Sequence, residues 1–181
     1  GFVANIKGQK SHEIVRQALT ILINLDHRGA VGSEHNTGDG AGILMQLPDA
    51  FLRKACAKLG FELPEPGRYG VAMIFTSPHA AESKSARHVL ERIIKEEQAK
   101  ILGWREVPTD NSSLGESARA AEPLVRQLFL APCEPACSEE EFNRKLYLIN
   151  QRAIHEIRDT QVDSYWYVSS ISTRTIIYKG M

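Results

Sequence analysis

The chain has 181 residues, of which 43% are hydrophobic, enough to bury one sizeable core, so a single domain is expected. Lysine plus arginine and aspartate plus glutamate number 22 each, and the formal net charge is zero, which argues against nucleic acid or an acidic membrane as a partner. Every apolar stretch is far shorter than the roughly 18 residues that a membrane span needs. The first residues also lack the basic and apolar regions of a signal peptide.

The three cysteines indicate a reducing, cytoplasm-like compartment, because an odd number in a chain of this length does not form a disulfide framework. Cys56 falls within a helical apolar pattern and is expected to be buried. Cys133 and Cys137 form a C-x3-C pair in a proline-containing loop. Their neighbours are glutamates and a serine, so an ordinary loop is favoured over a metal site.

The first third of the chain predicts two helices and two strands. A short apolar run at Phe2–Ile6 has strand character, and apolar residues at helical spacing predict a helix over Ser11–Asn24, with Gly29 as a terminator. Ala41–Leu47 is almost entirely apolar and predicts a strand buried on both faces. Pro48 and Asp49 then start a helix over Ala50–Leu59.

The middle of the chain predicts two strands around a long helix. Tyr69–Phe75 is a strand candidate, and Ser77 followed by Pro78 is typical of a helix start. The apolar stripe predicts that this helix continues to about Leu102. Trp104–Val107 is a short strand candidate, and Thr109–Glu122 is a polar loop with possible helical content.

The last third predicts another strand, a long helix and a hairpin. Pro123–Leu130 is the strand, and Ser138 with Glu141 forms a capping box that opens a helix to about Arg158. Tyr165–Ser170 and Arg174–Tyr178 alternate and are close enough in sequence to pair as a β-hairpin. Strands and helices therefore interleave, which favours sheet layers covered by helices.

A glycine-rich loop from Gly29 to Gly42 is the best candidate for a functional site, because it holds five of the chain's thirteen glycines. Glycines at this density suggest backbone with positive φ or a close approach to a neighbour. Ionisable residues are interleaved with them, as in small-molecule sites. The alternative is a loop whose polar groups bond its own backbone. These ionisable residues are Arg28, Glu34, His35 and Asp39.

The order of residues in this loop argues against phosphate and metal sites. A Walker A loop needs Lys and then Ser or Thr after its last glycine, whereas Gly42 is followed by Ile43. A dinucleotide loop follows a strand and precedes a helix, which is the reverse of the order here. The possible ligands match no compact zinc spacing, and no metal is expected. These possible ligands are Asp26, His27, Glu34, His35 and Asp39.

Four segments together resemble one family along the whole chain. One combination is highly specific for this family: the Gly-Asp-Gly-Ala-Gly-Ile segment together with His-Arg-Gly and the final Tyr-Lys-Gly-Met. On these segments the chain resembles the N-terminal glutaminase domain of glutamate synthases, a class II glutamine amidotransferase of the N-terminal-nucleophile hydrolase superfamily. The four segments are Gly1–Ala4, Leu25–Ala30, Thr37–Ile43 and Ser172–Met181.

The resemblance implies an α+β fold, a four-layer αββα sandwich incomplete at both ends, with residues 1–181 as the front part of a single type 2 amidotransferase domain. It also implies the chemistry. An N-terminal cysteine, with its own α-amino group as base, attacks the side-chain amide of glutamine. An oxyanion hole stabilises the intermediate, ammonia leaves, and water hydrolyses the thioester.

The chain departs from the family at the catalytic terminus. The family's mature chain starts Cys-Gly-Val-Gly-Phe, whereas this sequence starts at Gly1 and Phe2, so the nucleophilic cysteine is expected before Gly1. The resemblance assigns pocket-shaping roles beside the nucleophile to Arg28 and Gly29, and a scaffolding role to Asp39 and Gly40. We therefore expect this chain to be inactive alone, although its parent is an enzyme.

The resemblance also implies partners for the parent protein. These are L-glutamine, the remaining domains of the same polypeptide, FMN, an iron–sulfur cluster, and either an NADPH-dependent small subunit or ferredoxin; no cofactor is expected in this segment. Ammonia from glutamine then aminates 2-oxoglutarate in a cytoplasmic enzyme of ammonia assimilation and glutamate biosynthesis, or in a plastid enzyme if ferredoxin is the donor. The alternative function is a non-catalytic binding or regulatory domain of the same fold.

Overall fold

The computed structural model describes residues 1–30 and 38–180. These residues form two compact units. Unit 1 is Gly1–Met45, Asp110–Ala121 and Ile177–Met181, and unit 2 is Gln46–Thr109 and Glu122–Ile176. The main elements are α1 (His12–Asn24), β1 (Ala41–Gln46), α2 (Asp49–Ala57), β2 (Gly70–Thr76), α3 (Ala80–Glu96), β3 (Ala99–Glu106), α4 (Glu116–Ala120), β4 (Leu124–Pro132), α5 (Glu139–Ala153), β5 (Tyr167–Ser172) and β6 (Thr175–Gly180).

Unit 2 is built on a four-stranded antiparallel sheet in the order β3-β4-β2-β5. Helices α3 and α5 pack with this sheet in one apolar core, to which Ile74 and Leu128 contribute from the strands. The helical spacing of α5 explains its place in the core, because residues three and four positions apart share one face. The apolar residues at this spacing in the helix and the turn after it are all buried, namely Phe142, Leu146, Ile149, Ala153 and Ile157.

The start of α5 follows directly from its sequence. The Ser138 hydroxyl accepts from the Glu141 N–H, and the Glu141 carboxylate accepts from the Ser138 N–H at 2.8 Å, so the predicted capping box is confirmed. After Ala153 the helix widens into a π-helical turn over Ile154–Arg158, which ends at the residue where the predicted helix ends.

A segment after α2 packs on β3 and β4 within unit 2. The Phe61 and Phe129 ring centroids are 5.5 Å apart, and a Cβ on Gly103 would lie 2.5 Å from the Phe61 ring. Gly103 therefore leaves room for the aromatic ring. The predicted burial of Cys56, on α2, is confirmed.

A buried carboxylate joins the end of β2 to the chain that leads into β5. Asp163 is fully buried and accepts from the Thr76 hydroxyl, from the Ser77 N–H at 3.0 Å and from the Tyr165 N–H at 2.9 Å. Each donor replaces a water that the carboxylate loses on burial.

The predicted boundary between α3 and β3 is wrong. The helix ends at Glu96 rather than near Leu102, Gln98 takes a left-handed φ of +57°, and the strand begins at Ala99. The apolar residues in this stretch fit a helix stripe, but β4 supplies strand hydrogen bonds that local spacing does not reveal. The helix also starts at Ala80, two residues after the predicted Pro78.

The predicted hairpin between the last two strands is also wrong. β5 pairs with β2, whereas β6 pairs with β1 in a separate two-stranded sheet. Both strands exist close to their predicted positions, but each finds its hydrogen-bond partner far away in the sequence. Nearness in sequence favours a hairpin only when no such partner competes.

Unit 1 contains α1, α4, β1 and most of β6. Helix α1 confirms the predicted helix, and none of its residues is buried. The predicted strand at Phe2–Ile6 is wrong, because this segment has no strand and instead leads into a turn closed by the Gly8 N–H donating to the Asn5 carbonyl. The strand β1 is confirmed, but its predicted burial on both faces is wrong, since Leu44 is 66% exposed.

Among the helices of the described residues, none has the length and apolar character that crossing a membrane requires.

Candidate functional site

The site begins where α1 ends in unit 1. A short 3-10 turn over Asp26–Arg28 follows the helix, with the Arg28 N–H donating to the Leu25 carbonyl at 2.8 Å. The Gly29 N–H donates to the Asp26 carbonyl at 3.0 Å. These two bonds continue the helix by one tight turn, so they fix the backbone that carries the exposed Arg28 side chain.

Gly29 does not need the conformational freedom that its type offers. Its φ is −83° and its ψ is 151°, which any residue adopts. A Cβ at this position would meet only the Asp26 carbonyl oxygen, at 3.5 Å. The expectation that the glycines of this loop adopt positive φ or approach a neighbour closely is therefore wrong for this residue.

Asp39, near the end of the glycine-rich loop, contacts Ala30, near its start. Its carboxylate Oδ2 accepts a hydrogen bond from the Ala30 N–H at 2.9 Å. The neighbouring Gly38 lies against the same residue, since a Cβ there would be 3.4 Å from the Ala30 carbonyl oxygen. The structure thus brings Asp39 to the segment that carries Arg28 and Gly29.

Two later glycines of the loop show the positive φ or the close approach to a neighbour that was expected. Gly40 has a φ of +81°, in the left-handed region that favours glycine. A Cβ on Gly42 would stand 2.8 Å from the Tyr178 carbonyl oxygen and 2.9 Å from the Lys179 Cβ. Gly42 therefore lets β1 approach β6 closely.

Several of the predicted loop residues lie outside the described residues, namely Glu34 and His35 together with Gly32. The remaining possible ligands in this loop are Asp26, His27 and Asp39. Across the described ranges 1–30 and 38–180, His, Cys, Asp and Glu side chains form no group of three or more that could hold a metal ion.

A polar cluster in unit 2, which the sequence reasoning missed, holds the turn before β6. The Asn143 side chain donates to the Thr173 hydroxyl at 2.8 Å and accepts from the Thr173 N–H at 3.2 Å. The Glu139 carboxylate accepts from the Thr173 hydroxyl at 2.9 Å and from Arg174 Nε at 2.7 Å. The Ser172 hydroxyl accepts from the Arg174 N–H at 3.0 Å. The signal was the Ser-Thr-Arg-Thr run, because such residues often bond the backbone of their own turn.

This cluster shifts the pKa of its carboxylate. The hydrogen bond from Arg174, followed by the one from Thr173, holds the pKa of Glu139 below its usual value of 4.5. An open groove of about 400 Å³ lies beside it, lined by Glu140, Asn143, Arg144, Tyr147 and Arg174. None of the predicted site residues lines this groove.

The three cysteines of the chain are free thiols. Burial raises the pKa of the Cys56 thiol to about 11, so it stays protonated at neutral pH and is a poor nucleophile. Cys137 is also buried, while Cys133 is exposed in the loop after β4. The Cys133 nitrogen belongs to a peptide bond, and its N–H donates to the Gln98 carbonyl at 3.0 Å.

Comparison with known proteins shows the family to which the chain belongs. Residues 1–181 match the family described as class-II glutamine amidotransferases, and the chain belongs to this family. The predicted α+β fold is confirmed, because two antiparallel sheets with helices are consistent with an αββα sandwich.

Glutamate synthases are among the proteins to which the chain is similar. The chain is 41% identical over 181 residues to the glutamate synthase (NADPH) large chain of Bacillus subtilis, covering 100% of this chain and 12% of that protein. It is 36% identical over 189 residues to the glutamate synthase (NADH) of Saccharomyces cerevisiae, covering 99% and 9%. It is 34% identical over 181 residues to the ferredoxin-dependent glutamate synthase 2 of Synechocystis, covering 100% and 11%. The chain thus spans about a tenth of the length of these relatives.

Proposed function

We propose that residues 1–181 are the front part of a single type 2 amidotransferase domain within a glutamate synthase. The domain hydrolyses L-glutamine to glutamate and ammonia, and the rest of the polypeptide uses the ammonia for reductive amination of 2-oxoglutarate. The observation that carries this proposal is the similarity to glutamate synthases along all 181 residues, at 41% identity in one case. The family match over the same residues supports it.

The chemistry follows from a cysteine placed before Gly1. Its α-amino group takes the thiol proton, the thiolate attacks the carboxamide carbon of glutamine, and the tetrahedral intermediate expels ammonia as that proton passes to the leaving nitrogen. Water then hydrolyses the thioester and releases glutamate, with an oxyanion hole stabilising both intermediates. The position of Gly1 supports this arrangement, because a Cβ there would lie 3.4 Å from Ile21 Cγ2 on α1. This helix leads directly to Arg28 and Gly29.

No cysteine inside the chain can take this role. The mechanism needs the sulfur and a free α-amine on the same residue, whereas an internal cysteine has its nitrogen in a peptide bond. Cys56 is also excluded by burial, since a protonated thiol in a packed helix cannot reach a substrate. We therefore expect the chain beginning at Gly1 to release no ammonia from glutamine.

Within this function, Arg28 and Gly29 shape the pocket beside the nucleophile, and Asp39 and Gly40 support them. The observation in favour is the bond from the Ala30 N–H to Asp39, together with the positive φ of Gly40. The hydrogen bond holds the Ala30 backbone in place, which is what a pocket wall needs, and Gly40 allows a backbone conformation that other residues rarely adopt.

The remaining polypeptide supplies the partners of the proposed reaction. It binds FMN and an iron–sulfur cluster, and electrons come from an NADPH-dependent small subunit or from ferredoxin. The described residues do not fit the cluster, because they contain no suitable group of His, Cys, Asp and Glu side chains. Within this proposal the protein works in the cytoplasm, or in a plastid if ferredoxin donates the electrons.

The amino-terminal sequence of the mature parent protein tests this proposal. Cys-Gly-Val immediately before Gly1 is the expected result, and an initiator methionine there would instead favour a non-catalytic binding or regulatory domain. The purified chain 1–181 serves as the matched sample for ammonia release. Turnover that survives removal of contaminating glutaminase would contradict the need for a terminal cysteine.

A further inference from the structure

The two described ends of the glycine-rich loop are joined by one side chain. Asp39 Oδ2 accepts from the Ala30 N–H at 2.9 Å, across nine positions of sequence. Through this bond the Asp39 side chain joins a residue near the end of the loop to one near its start.

The backbone has a defined conformation on both sides of this bond. On one side, Gly29 donates to Asp26 and Arg28 donates to Leu25, which fixes the chain up to Gly29. On the other side, Gly40 takes a left-handed φ of +81°. Ala30 is the next residue after this turn. Its hydrogen bond to Asp39 therefore fixes the orientation of the peptide that joins Gly29 to Ala30.

The hydrogen bond from Ala30 to Asp39 is charge-assisted, because its acceptor is a carboxylate. A carboxylate acceptor makes shorter and stronger bonds to an N–H than a neutral oxygen does. The side-chain amide of asparagine keeps one oxygen acceptor of the same shape, whereas alanine keeps none. The substitutions Asp39→Asn and Asp39→Ala therefore separate loss of charge from loss of the bond.

We propose that Asp39 is a positioning residue for glutamine hydrolysis, which acts by holding the Ala30 N–H and so fixing the peptide that follows Gly29 beside the nucleophile. Asp39 does not touch the substrate, and it transfers no proton in this role. This role of Asp39 rests on the proposed function, because that function assigns Arg28 and Gly29 to the pocket wall.

The test uses the full-length protein with its terminal cysteine and measures two rates in each variant. One is glutamate formation from 2-oxoglutarate with glutamine, and the other is the same reaction with free ammonia, which bypasses the glutaminase site. The matched control is Asp110→Asn. Asp110 is also an exposed aspartate of unit 1, and its carboxylate accepts from the Ser112 N–H at 3.0 Å.

In D39A we expect kcat/KM for glutamine to fall about tenfold, mainly through a higher KM, while the ammonia-dependent rate is unchanged. D39N is expected to stay within about threefold of the wild type, because its amide oxygen accepts from the same N–H. D110N is expected to match the wild type in both rates.

Three results would overturn the role of Asp39 alone, provided that the wild type hydrolyses glutamine. These are a D39A protein equal to the wild type, a D39N protein as slow as D39A, or a parallel loss of the ammonia-dependent rate, which indicates general damage to the fold. A wild-type protein that uses ammonia but not glutamine would instead remove the proposed function, and the role of Asp39 with it.

Discussion

Single residues decide where the glycine-rich loop and its neighbours can pack. The sequence predicted that glycines of this loop adopt positive φ or approach a neighbour closely, and Gly40 and Gly42 do so. Gly29 does neither, and nothing in its local sequence separates it from the other two. The difference arises because Gly42 faces a strand more than a hundred positions away, and a single sequence does not reveal such contacts.

Replacing Gly42 by alanine is expected to weaken the pairing of β1 with β6. The new Cβ would stand 2.8 Å from the Tyr178 carbonyl oxygen, a backbone atom that cannot rotate away. Relieving such an overlap costs about 1–3 kcal/mol. Amide hydrogen exchange of β1 and β6 is expected to become faster in G42A.

The control for G42A is Gly180→Ala, on the other strand of the same sheet. A Cβ on Gly180 meets nothing within 4 Å, so exchange in G180A is expected to match the wild type. Equal exchange in G42A and in the wild type would mean that the strands do not approach as described.

Replacing Asp163 by alanine is expected to lower the free energy of unfolding of unit 2 by about 3 kcal/mol, since the Thr76 hydroxyl and two backbone N–H groups lose a buried acceptor. Both tryptophans of the chain lie in unit 2, so urea unfolding followed by their fluorescence measures this loss. Asp159→Ala is the control, because the Asp159 side chain is 46% exposed and pairs with Arg158 on the surface. A loss no larger in D163A than in D159A would contradict this account.

At the scale of elements, helices were easier to predict than strand partners. α1, α2 and α5 have periodic apolar faces, and α5 also has a capping box, so local sequence suffices for them. β5 and β6 were found but wrongly joined to each other. Their true partners, β2 and β1, are distant in sequence, and many pairings satisfy strand hydrogen bonds equally well.

The ion pairs between α3, α5 and the π-helical turn predict a pH-dependent stability of unit 2. Arg152 donates to Glu96 and Glu97, and both Arg152 and Arg92 bond Glu156. The hydrogen bonds from the arginines hold the pKa of Glu96 and of Glu156 below the usual 4.5. Because the folded pKa is the lower one, the stabilisation is present above 4.5 and is lost as pH falls through the folded values.

Urea unfolding at about pH 6 and about pH 3.5 tests this sign. We expect the midpoint to fall at the lower pH in the wild type and to fall less in Arg152→Met, which has lost the shared partner. Arg158→Met is the control, since Arg158 pairs with Asp159 and not with these glutamates. An R152M protein with the same pH dependence as the wild type would contradict a role of this network.

At the scale of the whole molecule, the fold class came from family motifs more than from local patterns. Interleaved strands and helices indicated layered sheets, but only the combination of His-Arg-Gly, Gly-Asp-Gly-Ala-Gly-Ile and Tyr-Lys-Gly-Met distinguished one family. The structure places two of these motifs together, because Gly42 packs against Tyr178 and Lys179. The turn cluster around Thr173 was missed, since its partners Glu139 and Asn143 are about 30 residues away.

The central claim is tested most directly by ammonia release from glutamine by the full-length protein whose mature chain begins with Cys-Gly-Val before Gly1. We expect steady release of ammonia from the wild type, and a loss of at least a thousandfold when that cysteine is replaced by alanine, because the covalent route is closed. Release that persists undiminished in the alanine variant would contradict the account.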